Sequence, residues 1–213
     1  MTWQKLTPLW LIATVVYVEE VAYLMAVATV TAILGAWGGL NQTKLRPLMG
    51  YSSLVHLGWI ISLLTVGDYS VLIYWGIYRT ILAPPILSLL QIGIVDVKTL
   101  NNVIWKKNGA GVNFLFAISI LSLAGMPPSR GFFLKVFAIS ELIAKRFFWP
   151  AIALVISSII ALAFYCDIML KRILPGLQTS AAPSFCYSRT MGVLTSASLI
   201  GPRFVLYVQF MLK

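Results

Sequence analysis

The sequence predicts an all-α fold, a polytopic transmembrane helix bundle of about seven segments with one helix discontinuous, and three observations carry that prediction. Of its 213 residues 60% are hydrophobic and only 10% are charged, whereas soluble domains are about half apolar and about a quarter charged. Mean hydropathy is +0.90. Apolar runs recur along the whole chain, each near the roughly 20 residues that cross a hydrocarbon core of about 30 Å.

Measured against that length, the runs fall at residues 1–17, 21–40, 45–66, 71–94, 112–144, 149–170 and 191–212. Polar and helix-breaking residues separate them: Asn41-Gln42-Thr43-Lys44, Gly67-Asp68 and the longer Asp96–Gly109 connection. Leu174–Thr190, rich in Ser, Pro and Gly, reads as a loop, and Gly201-Pro202-Arg203 interrupts the last run. No cleavable leader is read at the start, because a spanning-type run follows Met1 with no small-residue cleavage site.

The net charge is +10. Its cations sit between apolar runs, where they face lipid headgroups, and this speaks against nucleic acid as a partner. With the first connection on side one, the side-two connections hold Lys44, Arg46, Lys98, Lys106, Lys107, Lys171, Arg172 and Arg189. Side one holds mainly Lys145, Arg146 and Lys213, with Glu19, Glu20 and Asp68. The positive-inside rule makes side two cytoplasm-like, which in a mitochondrion is the matrix, provided that residues 112–144 cross once. Cys166 and Cys186 have neither metal-site spacing nor a second pair, so no metal site, disulfide framework or redox chemistry is expected within the chain.

The fifth run holds the main anomaly. As one α-helix, residues 112–144 would be about 50 Å long, well beyond the apolar thickness. Within it lies LAGMPPSRGFFLK. Pro127 and Pro128 remove two backbone donors, and Gly125 and Gly131 allow sharp turns on either side. Unpaired backbone at membrane depth is tolerated where protein buries it or a polar cavity hydrates it, so the break marks a polar pathway. Lys135 follows about two turns later, and an ammonium there costs roughly 2.5–3.5 kcal/mol or more, which calls for a compensating role. The structural alternative is a proline-containing membrane helix whose lysine snorkels to the headgroups.

Other intramembrane polar groups are read the same way. Pro84-Pro85 has no Lys or Glu nearby and reads as a structural kink. Arg79 fits equally a snorkelling side chain or a pathway residue. His56, the one histidine in the chain, suits proton relay near neutral pH; a satisfied interhelical histidine is the alternative. Tyr51, Ser52, Ser53 and Lys44 add hydrogen-bonding groups along that helix. Glu141 either pairs loosely with Lys135 or belongs to the helix end near Lys145 and Arg146. Asp167 reads as a helix-end partner of Lys171 and Arg172.

These residues carry a resemblance. GGLNQTKLRPLMGYSSLVHLGW, residues 38–59, resembles the GGLNQT-x-LR…YSS…H-x-GW signature of the subunit 2 family of mitochondrial NADH dehydrogenase (ubiquinone). TWQKLTP, residues 2–8, is similar to a TWQKLAP segment of that family, and AGMPPSRGFFLK, residues 124–135, resembles its GG-[LM]-PP-x-x-GF-x-x-K break. The three occur in the family's order and cover residues 2 to about 145. The family comprises antiporter-like membrane subunits of respiratory complex I, with two inverted five-helix repeats, each containing a discontinuous helix and buried lysines.

The resemblance implies a single transmembrane domain over 1–213, corresponding mainly to the second repeat: 1–17 ends the first repeat, 21–170 forms the second, and 191–213 is a C-terminal helix. It places proton transfer on Lys135, His56 and Lys5, with Glu141 as a weaker candidate, and a structural break on Gly125, Pro127, Pro128 and Gly131. It implies a proton path coupled to quinone reduction in the mitochondrial inner membrane, with no cofactor bound by this chain. NADH, FMN, iron–sulfur clusters and ubiquinone would be used by other subunits of the complex. Moving each proton costs about 2.3 kcal/mol per 100 mV, which must come from redox chemistry outside the chain.

The sequence departs from the family pattern where only four residues precede Lys5, and Arg79, Arg130 and Pro84-Pro85 are not part of that pattern. A neighbouring membrane subunit, or a separate polypeptide supplying the missing N-terminal half, is therefore expected against residues 1–40, approaching closely at Ala26, Ala28, Ala32 and Gly35. Two functions of other classes compete: a stand-alone cation/proton antiporter of related fold and a non-conducting membrane scaffold.

Overall fold

The computed structural model describes residues 21–92, 109–127 and 129–177. Six α-helices occupy them: α1 Val21–Leu40, α2 Leu45–Leu64, α3 Asp68–Ile92, α4 Gly109–Ala124, α5 Arg130–Ala144 and α6 Phe148–Leu177. Four have stretches long and apolar enough to cross a membrane: Val21–Leu40, Leu45–Leu64, Tyr69–Leu87 and Phe148–Ile168. The segments expected at 1–17 and 191–212, Lys5 and Pro128 lie outside the described residues.

The fifth apolar run is two helices. At 16 and 15 residues, α4 and α5 are each about 22–24 Å long, so neither alone matches the bilayer core. Correcting another expectation, α6 runs on to Leu177 through Leu174-Pro175-Gly176, which the sequence assigns to a loop. At 30 residues it is about 45 Å long, more than a hydrocarbon core of about 30 Å requires, so the helix can continue beyond the apolar run. Helix α3 continues through Pro84 and Pro85, both buried.

Small residues set how closely the helices approach. Ala28, Ala32, Gly35, Ala36 and Gly39 form the buried face of α1, which packs mainly on α2 and then on α6. A Cβ on Gly35 would lie 2.9 Å from both Leu54 Cβ and Val55 N, and one on Gly58 would lie 2.6 Å from the Ala28 carbonyl oxygen. Gly39 receives the Phe164 ring of α6. Three of the small residues expected to meet a separate polypeptide, Ala28, Ala32 and Gly35, are thus occupied inside this chain, and Ala26 is exposed. The reason is geometric: the i, i+4, i+7 stripe of Ala28, Ala32 and Gly35 lets another backbone lie flush, and α2 is joined to α1 by a short turn.

The opposite face of α1 presents Tyr23, Val30, Leu34, Trp37 and Leu40 outward. Trp149 and Tyr69, at the starts of α6 and α3, are among the most exposed large side chains, as expected of rings at a membrane–water boundary. Helix α3 contacts α2, α4 and α5, so both halves of the broken run pack on it.

Candidate functional site

Among the described residues two buried polar clusters lie inside the bundle, one at the helix break and one between α2, α3 and α6. The first begins where α4 ends. Gly125 has φ +83°, a left-handed conformation that only glycine adopts without penalty. Its N–H bonds Ser122 O at 3.3 Å, and Met126 N–H bonds Leu121 O at 3.4 Å. These are the 5→2 and 6→1 bonds of a Schellman ending, which pair two of the last carbonyls of α4. Ser129 continues the turn by bonding Met126 O through both its N–H (2.9 Å) and its hydroxyl (2.5 Å).

The carbonyl of Ala124 is taken by a side chain instead. Lys135 reaches back from the second turn of α5, and its Nζ donates a 2.8 Å hydrogen bond to Ala124 O. Lys135 is only 8% exposed. Space for it exists because Gly125 has no side chain: a Cβ there would be 3.0 Å from Nζ and 3.1 Å from Cε. Gly131 is the second requirement, since a Cβ on it would lie 1.9 Å from Ser122 O. The two glycines therefore bring the start of α5 against the end of α4 and set the lysine over the negative end of the α4 dipole. Two further groups at the break, Ser122 Oγ and Arg130 Nε, are buried without hydrogen-bond partners among the described residues. Pro127 is exposed.

The second cluster centres on His56, 5% exposed. Its Nδ1 shares a 3.0 Å hydrogen bond with Tyr74 Oη, and its ring stacks obliquely on Tyr78, with centroids 4.3 Å apart and planes at 32°. One turn earlier on α2, the fully buried Ser52 accepts a short hydrogen bond from Tyr165 Oη of α6. Tyr78 Oη and Trp59 Nε1 are buried with no hydrogen-bond partner among the described residues.

Of the residues singled out in the sequence, the structure buries Lys135, His56, Gly131 and Ser52 and places the first two in different clusters. Glu141 is half-buried in the last turn of α5, and no ion pair joins it to Lys135. Arg79 lies over the Trp75 ring, 4.6 Å from its centroid. Asp167 is exposed and borders an open cleft of about 230 Å³ with Gln42 and Phe164. The tyrosines of the second cluster are not evident from the sequence. Their one signal is the i, i+4 pair Tyr74 and Tyr78 on an otherwise apolar helix, where two hydroxyls share a face.

The chain as a whole can now be compared with known proteins. The family described as NADH:quinone oxidoreductase/Mrp antiporter, transmembrane, matches residues 1–161. The chain belongs to this family. It is a multi-pass membrane protein with the antiporter-like helical fold of its relatives. Curated relatives include the NADH-ubiquinone oxidoreductase chain 2 of Mus musculus, 27% identical over 210 residues that cover 93% of this chain and 60% of the relative. The Xenopus laevis protein of the same name is 33% identical over 164 residues, covering 77% of this chain and 47% of its own length. The chain spans about half the length of the curated relatives it matches. Among solved structures, a chain of respiratory complex I from Thermus thermophilus superposes with a TM-score of 0.63 at 19% identity, covering 84% of this chain and 42% of that one. A chain of the Mrp complex from Dietzia sp. gives 0.66 at 16% identity, with 90% and 45% covered.

Proposed function

We propose that this chain is a core membrane subunit of a proton-translocating NADH:ubiquinone oxidoreductase of the mitochondrial inner membrane, and that Lys135 carries a proton within it. Residues 21–170 form one repeat of the antiporter-like fold, 1–17 the end of another, and 191–213 a C-terminal helix. Redox cofactors reside in other subunits, and neighbouring membrane subunits or a separate polypeptide cover the outward face of residues 1–40.

The observation that carries the reading is the buried lysine bonded to the terminal carbonyl of a broken helix. An ammonium taken out of water needs strong compensation, and here it has one backbone carbonyl and a helix C-terminus. Among the described residues no carboxylate is bonded to it. Such a group holds a proton under light restraint, so a modest change in neighbouring charge can make it release that proton and take up another. His56, held by Tyr74, supplies a second proton-exchanging group at a separate place in the bundle. Electron transfer in the other subunits provides the energy.

The test is Lys135→Met in the assembled complex, which keeps side-chain length and removes the titratable group. Assembly and NADH oxidation should persist in uncoupled membranes while proton translocation falls. Wild-type pumping by this variant would remove Lys135 from the path. The likeness of the fold to a chain of an Mrp complex favours a second reading, exchange of a cation for a proton without redox coupling. Proton movement driven by a sodium gradient with no NADH present would select it.

A further inference from the structure

We propose that Arg130 is a docking point between subunits: its guanidinium receives a carboxylate from a membrane helix of a neighbouring polypeptide, at the level of the helix break. The proposal rests on the reading of this chain as one subunit of a membrane assembly, and it asks nothing of Lys135.

Depth comes first. Arg130 is the first residue of α5, whose 15 residues end at Ala144, so it lies about 22 Å along the helix from the exposed Lys145, Arg146 and Trp149. On the other side α4, 16 residues long, leads away from the break, and the contact of Gly131 with Ser122 O makes the two helix ends overlap. Both halves are apolar and of like length, so the break sits near the middle of a hydrocarbon core of about 30 Å. Neither headgroup layer is within snorkelling reach of a side chain there.

A guanidinium keeps its charge in a protein, and at this depth it needs an acceptor supplied by protein. Arg130 is half-buried, and its Nε is buried with no hydrogen-bond partner among the described residues. The preceding turn does not help: the hydroxyl of Ser129 bonds back to Met126 O and does not cap α5, so the positive end of the α5 dipole adds to the charge on Arg130. Ser122 Oγ, fully buried on the facing turn of α4, is a second group there without a partner among the described residues.

The chain's own carboxylates stand at other levels. Glu141 is in the last turn of α5, Asp68 opens α3, and Asp167 comes one residue before the end of the apolar stretch Phe148–Ile168. Glu19, Glu20 and Asp96 belong to the connections between apolar runs. These are the six acidic residues of the sequence, all of them near membrane boundaries. A carboxylate at the depth of Arg130 therefore comes from another polypeptide. Carboxylate is the fitting class, because its two oxygens accept parallel N–H donors of the guanidinium and cancel its charge, whereas lipid phosphate stays with the headgroups. Arg130 and its i+3 neighbour Phe133 are only half-buried by this chain, which leaves a side from which another helix can reach the guanidinium.

The test is made on the assembled complex. Its density should place a carboxylate of another polypeptide within about 4 Å of the Arg130 guanidinium. In Arg130→Met the neighbouring subunit should leave the detergent-solubilised complex about tenfold faster or more, followed on native gels, because one partner of a desolvated pair has been removed. Arg130→Lys, which keeps the charge and loses the fork, should fall between. Changing the partner carboxylate to its amide in the Arg130→Met background should restore part of the retention, a coupling that a merely structural role in α5 would not give. A carboxylate of this same polypeptide on Arg130, a guanidinium bonded only to water or lipid, or additive effects in the double variant would each overturn the proposal. Should Arg130→Met fail to assemble, the density and Arg130→Lys decide. NADH dehydrogenase activity is scored on the same gel: its absence from the band that holds the pair would remove the assignment to that enzyme and leave the pairing standing.

Discussion

The ammonium of Lys135 closes the end of α4 by bonding Ala124 O at 2.8 Å. One side chain thereby meets two needs, since a carbonyl at a helix terminus lacks an acceptor's usual partner and a buried cation lacks its hydration. The charge state of the lysine and the geometry of the break are consequently linked: a neutral amine donates a weaker hydrogen bond than an ammonium, so proton loss loosens α5 from α4.

That linkage makes the glycines at the break functionally sensitive. Gly131→Ala puts a methyl 1.9 Å from Ser122 O, a backbone atom that cannot swing aside, and overpacking of this sort costs about 1–3 kcal/mol. Gly125→Ala adds a left-handed alanine, costing about 1–2 kcal/mol, and crowds Lys135 Nζ. Both variants should lower the thermal midpoint of the complex and depress proton translocation more than NADH oxidation. Wild-type values of both quantities for Gly131→Ala would show that α5 can slide on α4 without consequence.

The packing of α1 on α2 predicts a different kind of defect. Gly35→Leu must push apart two backbones in contact, because the new Cβ meets Leu54 Cβ and Val55 N at 2.9 Å. The expected outcome is loss of assembled subunit, measured by blue-native electrophoresis. Ala26→Leu, at an exposed position on the same helix, should assemble normally unless a neighbouring subunit lies there.

Arg146 offers a test of backbone strain outside the bundle. It has φ +63° in a second Schellman ending, with Arg146 N–H bonded to Ile143 O at 2.9 Å and Phe147 N–H to Leu142 O at 3.0 Å. Arg146→Val should destabilise the subunit by about 1–3 kcal/mol, since β-branched residues resist this conformation. Arg146→Gly should match or exceed wild-type stability. Thermal unfolding in detergent separates the two, and equal midpoints for both variants would show that the strain is relieved elsewhere.

Orientation is tested from the loops. A cysteine in the Lys98–Lys107 connection should react with an impermeant maleimide only from the matrix side, following the cation bias of that side. Labelling in intact mitoplasts from the opposite face would reverse the topology.

Among the described residues, the sequence by itself determined the class, the helical segments apart from where α6 ends, and the existence of the break. Apolar runs of membrane-spanning length admit few alternatives once backbone groups must be satisfied without water, and Gly125, Pro127 and Gly131 announce an interruption because their backbone properties are local. Lys135 was legible for the same reason: a charge in an apolar run is conspicuous wherever the helix lies. Tertiary structure alone decided what each of these residues touches. That Lys135 bonds Ala124 O, that Ala28, Ala32 and Gly35 meet α2, and that Tyr165 stands beside Ser52 are relations between residues 11 to 113 positions apart. Such pairings depend on how helices rotate about their axes and settle against one another. In this chain nearly every helix face is apolar, so hydrophobic patterning gives that rotation little guidance. Close approach at glycines and the demand that buried polar groups find partners fix it instead, and both are properties of surfaces in contact.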